Sequence, residues 1–163
     1  MSILSMCQWL QDTQIGTSIR ESIWTFPIIE GTHVLALSIS VGLLMVSDLR
    51  LMGYIMKRRP VTEVYEQIKP WMFAGFAIMI ITGIFLFWCQ AVKAYNSIFF
   101  KTKIVLLVVA AINAIAFERG IYRNVDKWDN ALVPPMQARI AGWASLILWA
   151  AIITCGRTMA YTF

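Results

Sequence analysis

The chain contains one histidine, His33, and a carboxylate three residues before it, Glu30. A spacing of three puts both on one face of a helix. Neutral imidazole is a good ligand for haem iron, zinc or copper, and a nearby glutamate or carbonyl can fix its tautomer. A single histidine excludes bis-histidine haem within one chain. The other axial position then falls to a methionine, a lysine, an open site, or the histidine of a second protomer. Met79, near the middle of the second apolar run, is the methionine candidate. Lys103 and Arg157 are cations within apolar runs, where ionisable groups are costly and mark function by default. They are suited to pairing with haem propionates. They also lie within about two turns of helix ends, from which long basic side chains snorkel to the headgroups, as Lys101 is expected to do. The candidate cofactor site is therefore His33, Glu30, Met79, Lys103 and Arg157, with His33 as the metal ligand. Haem b is the expected cofactor; the alternatives are copper, held by His33 with Cys89 or Cys155, or none. Asp48 and Arg119 form a plausible ion pair at the opposite end of the bundle, and Asn113 a plausible bond between helices.

Four apolar runs must position these residues. Hydrophobic residues make up 59% of the chain and mean hydropathy is +0.67, well above a soluble domain. About 20 apolar residues cross a bilayer as a helix, since each rises about 1.5 Å through a layer of about 30 Å. Spans are predicted at 23–47, 70–92, 98–117 and 137–161, all helical, because unpaired backbone is not tolerated in lipid. Before them, residues 1–22 carry Ile3, Met6, Leu10, Ile15 and Ile19 among polar residues, which suits short interfacial helices. No basic n-region precedes an apolar core there, so a cleaved signal peptide is not expected. In the connection KRRPVTEVYEQIKP a short helix is predicted from Val61, with Pro70 opening the second span. The fold class is all-α: an integral membrane four-helix bundle with short N-terminal interfacial helices, one transmembrane domain over 1–163. Small residues such as Gly75, Gly83, Ala138 and Gly142 suit close helix packing.

The formal charge of +5 does not indicate nucleic acid, because the basic residues flank apolar runs and form no single surface. Nine of the 14 lie in the connections 48–69 and 118–139, which the positive-inside rule makes cytoplasmic. Both termini are then outside a bacterial inner membrane. The expected partners are the lipid bilayer and other membrane or periplasmic redox subunits, with a homo-oligomer as a further possibility. No phosphate loop, hydrolase triad or pair of catalytic carboxylates is present, so no enzyme activity is assigned.

The runs ESIWTFPIIEGTHVLALSISVGLLMVSDLRLMG, FFKTKIVLLVVAAINAIAFERG and ARIAGWASLILWAAIITCGRTMAY resemble a group of uncharacterised bacterial four-helix inner-membrane proteins. More distantly, the histidine, apolar turn, glycine and basic residue of the first span, with Lys103 opening the third, look like copper-resistance-D-like and HemJ-type membrane proteins. That resemblance implies a haem-binding role for His33 and a functional one for Lys103. The closer group is expected often to carry histidine where this chain has Glu118, a departure that leaves no second histidine ligand. The resulting expectation is a haem-b-binding membrane protein or redox-complex subunit acting in electron transfer. The alternatives are a cofactor-free accessory or scaffold subunit and a copper-handling membrane protein.

Overall fold

The computed structural model describes residues 2–161. Two short helices come first, α1 (Ile3–Gln11) and α2 (Gln14–Glu21). Ser2 and Thr13 start them, each side chain accepting from a backbone N–H in the first turn, which satisfies one of the donors a helix start leaves open. Four long helices follow: α3 (Thr25–Leu51), α4 (Val61–Cys89), α6 (Ile98–Ala116) and α7 (Met136–Tyr161), with a single-turn-and-a-half α5 (Ala91–Asn96) between α4 and α6. All four are long and apolar enough to cross a membrane. The molecule is an all-α membrane protein with a four-helix core.

The packing is unequal. Helix α3 lies along α4, α7 lies along α6, and a smaller α3–α7 seam joins the two pairs. At the first contact Ser40 is fully buried and donates to its own Ala36 carbonyl at 2.8 Å. Gly75 of α4 faces it, where any Cβ would overlap Ser40 Oγ, so the absence of a side chain sets how closely the helices approach. At the seam, a Cβ on Gly142 would come within 3.1 Å of the Asp48 carbonyl. Asn113 of α6 donates to the Ala141 carbonyl of α7 at 3.1 Å, the interhelical bond expected of it. Helix α6 has no buried residue. Its Val105, Val108 and Ile112 are exposed, as suits contact with lipid.

One boundary differs from the sequence expectation. Helix α4 starts at Val61 and runs unbroken through Pro70, joining the predicted loop helix to the second span. Pro70 removes one hydrogen bond, to the Glu66 carbonyl one turn earlier. Glu66 is exposed, so water can take up that carbonyl, and the apolar run beyond it still needs helix. The start of α4 is capped from far along the chain. Asp129 accepts from the Thr62 backbone N–H at 2.8 Å and from its hydroxyl at 2.7 Å.

This end of the bundle is built around Arg50, which is fully buried. Its Nε and Nη2 donate to the Arg59 carbonyl at 3.0 and 2.8 Å, and Nη2 donates to the Ala131 carbonyl at 3.2 Å. One side chain thus ties down both connecting segments. The Asp48–Arg119 ion pair expected from the sequence does not form. Asp48 is buried, with one carboxylate oxygen that has no hydrogen-bond partner, while Arg119 is exposed. The neighbouring Glu118 instead meets Lys69 at 3.7 Å. Beyond Ala116 the helix widens into a π-turn at Phe117–Ile121 and tightens to 3-10 geometry at Tyr122–Lys127.

At the opposite end, α1 and α2 cover the bundle. Trp88 Nε1 donates to Thr13 Oγ1 at 2.8 Å, and the Val92 backbone N–H donates to Gln11 Oε1 at 3.1 Å. The first and last described residues, Ser2 and Tyr161, belong to this end.

Candidate functional site

His33 lies on the face of α3 that meets α4, in the half of the bundle nearer the termini. Its Nδ1 is 3.0 Å from Thr82 Oγ1. The same hydroxyl oxygen is 2.7 Å from the Ile78 carbonyl and 3.1 Å from that of Met79. A carbonyl oxygen only accepts, so the one hydroxyl proton of Thr82 is directed into its own helix. The oxygen it leaves facing His33 is an acceptor, which places the imidazole proton on Nδ1. Nε2 is left with its lone pair free. This tautomer follows from the hydrogen-bond network.

Two glycines make room for the arrangement. A Cβ on Gly83 would lie 3.2 Å from His33 Cε1, and one on Gly156 would lie 3.4 Å from Lys103 Nζ. The Lys103 stem therefore runs along α7 beside Gly156, and its terminal nitrogen is near enough to His33 to act on the ring through space. Among the described residues no carboxylate is within ion-pair distance of Lys103. An imidazole with a free lone pair and an unneutralised ammonium thus share one half of the bundle interior.

Of the residues singled out from sequence, His33 and Lys103 come together. Met79 is buried on α4, and its backbone carbonyl lies 3.1 Å from the Thr82 hydroxyl oxygen. Glu30 and Arg157 do not join. Glu30 is exposed and makes no ion pair among the described residues. Arg157 is also exposed, donating to its own helix's Tyr161 hydroxyl at 3.1 Å and lying over that ring. The role of orienting the imidazole belongs to Thr82, which sequence reasoning missed. Its signal was a hydroxyl residue beside Gly83 within an otherwise apolar run.

The cysteines divide likewise. Cys89 is fully buried, with its thiol donating to the Leu86 carbonyl at 3.4 Å, and Cys155 adjoins Lys103. Among the described residues, no three His, Cys, Asp or Glu side chains gather to hold a metal ion.

A family model described as a family of unknown function, DUF6644, matches residues 14–162. The chain belongs to that family. The DUF6644 match takes in His33, Thr82, Lys103 and all four long helices, and leaves α1 outside. No curated protein and no solved structure matches this DUF6644 member. No match ties it to copper-resistance-D-like or HemJ-type proteins.

Proposed function

We propose that the protein is a membrane-embedded haem-b-binding subunit of a redox complex, acting in electron transfer, with His33 as an axial ligand. The observation that carries this reading is the Thr82 hydrogen bond, which holds the proton on His33 Nδ1 and leaves Nε2 free. Histidines that ligate metals are held in this way, by an outer partner that fixes ring orientation and tautomer. Lys103 supplies a cation for a propionate. The bound haem would supply one-electron chemistry; the chain's own part is to present Nε2, hold the ring and offer a positive charge nearby.

The residues fit one axial ligand better than two. His33 is the one histidine of the chain, so we assign the sixth position to a partner subunit or a second copy. We place the protein in a bacterial inner membrane with both termini outside, on the strength of the basic residues in the connections at the Arg50 end.

The same Thr82 bond supports a second reading. A histidine hydrogen-bonded between two membrane helices can serve as structural glue alone, in a cofactor-free accessory subunit. An absorption spectrum of the detergent-purified protein, oxidised and then reduced with dithionite, separates the two. A Soret band that is lost in His33→Ala supports the haem reading. A featureless spectrum after expression with ample haem refutes it and leaves the accessory subunit.

A further inference from the structure

A groove of about 340 Å³ lies at the end of the bundle that α1 and α2 cover, away from His33. Ile3 and Cys7 of α1, Phe87 of α4, Tyr95 of α5 and Phe100 and Ile104 of α6 line it. Phe87 and Phe100 stack with centroids 5.5 Å apart, giving it a flat aromatic wall. The lining is almost wholly apolar, and Lys101 completes it through its stem. Lys101 is exposed, its ammonium lies 5.0 Å from the Tyr95 ring centroid, and no carboxylate pairs with it among the described residues.

The placement says what such a groove takes. Lys101 stands in the first turn of α6, just after the helix start at Ser97, at the depth where lysines and tyrosines meet headgroups. Phe100 and Ile104 continue from there toward the hydrocarbon. A charged mouth above apolar walls matches an amphiphile with an anionic head and a hydrocarbon tail. An uncharged tail would gain the walls but leave the ammonium without a partner.

We propose that this groove is a binding site for an anionic phospholipid, with an acyl chain against Phe87, Phe100 and Ile104 and the phosphate on Lys101. It is closed on one side by α1, which lies outside the family-matched stretch. The site is independent of the haem reading.

Cys7 reports occupancy, because it is buried and lines the groove. The test uses the full chain in a neutral maltoside detergent and follows alkylation of Cys7 by N-ethylmaleimide with peptide mass spectrometry, Cys155 serving as internal reference. A single-chain phosphatidylglycerol and a monoacylglycerol of the same tail length are titrated in turn, and inorganic phosphate is added alone. The phosphatidylglycerol should slow Cys7 alkylation and should reach half its effect at about fivefold lower concentration than the uncharged analogue, the gain of one lysine–anion contact. Lys101→Gln should erase that difference without disturbing the fold, since the side chain is exposed. Equal protection by both amphiphiles, no protection by either, protection by phosphate alone, or a difference that survives Lys101→Gln would each overturn the proposal.

Discussion

Removing the Arg50 guanidinium should loosen the whole end of the bundle where the connections meet. Three N–H groups, one on Nε and two on Nη2, serve the Arg59 and Ala131 carbonyls. Hydrogen bonds from a charged donor contribute about 1.5 kcal/mol each at the low end, so their loss in Arg50→Ala costs about 4.5 kcal/mol. The native state carries one opposing term, because the buried Nη1 has no partner. Relieving it returns about 1.5 kcal/mol, for a net destabilisation of about 3 kcal/mol, more than a hundredfold in the folded-to-unfolded ratio. Equilibrium unfolding in mixed micelles, followed by tryptophan fluorescence, measures this directly. Arg50→Lys is the informative companion: it keeps a charge but lacks the fork that reaches two carbonyl groups at once, and should recover less than half of the loss. A penalty below about 1 kcal/mol for Arg50→Ala, the size of a single ordinary hydrogen bond, would refute the reasoning. So would full stability in Arg50→Lys.

Asp129→Ala removes both bonds to Thr62 and should cost about 2 kcal/mol in the same assay, the upper end for loss of a helix cap. Gly75→Leu should destabilise the protein by at least about 2 kcal/mol, because its side chain must displace Ser40 from a close helix contact. Thr82→Val removes the oxygen that orients His33 and should weaken haem retention by about tenfold to a hundredfold, read by titration of the apoprotein; unchanged retention would mean that Thr82 does not position the ring. In a background with Cys7, Cys89 and Cys155 changed to serine, Ser2→Cys and Arg58→Cys, probed on intact cells with an impermeant maleimide, should label at Ser2→Cys alone, and the reverse pattern would overturn the proposed orientation.

The four long helices could be read from the sequence because a bilayer imposes a length and a composition that few other structures share. Pro70 misled the reading, since proline as a helix opener and proline tolerated inside an exposed early turn look alike until the surroundings of the Glu66 carbonyl are known. Asp129 as a cap for Thr62 was out of reach for a different reason. The two are 67 residues apart, and only folding brings the carboxylate to the helix start. At the candidate site, the cost of burying charge singled out His33 and Lys103 without any coordinates. The same argument also selected Glu30 and Arg157, because apolar sequence does not say which side of a helix faces lipid or headgroup. Thr82 carries no charge and escaped that filter, although it decides which imidazole nitrogen is free.

The uneven packing of the long helices has a consequence for biogenesis. Each pair with extensive contact, α3 with α4 and α6 with α7, is consecutive along the chain and joined at the Arg50 end. A translocon can therefore release each pair as a finished hairpin, with its own helix contact already made, before its partner hairpin is needed. Assembly then reduces to one lateral docking step along α3 and α7, centred on the small side of Gly142. Variants that block docking should leave two inserted hairpins in the bilayer, visible as protein that is fully membrane-integrated yet cut by protease in the connection 90–97 between α4 and α6.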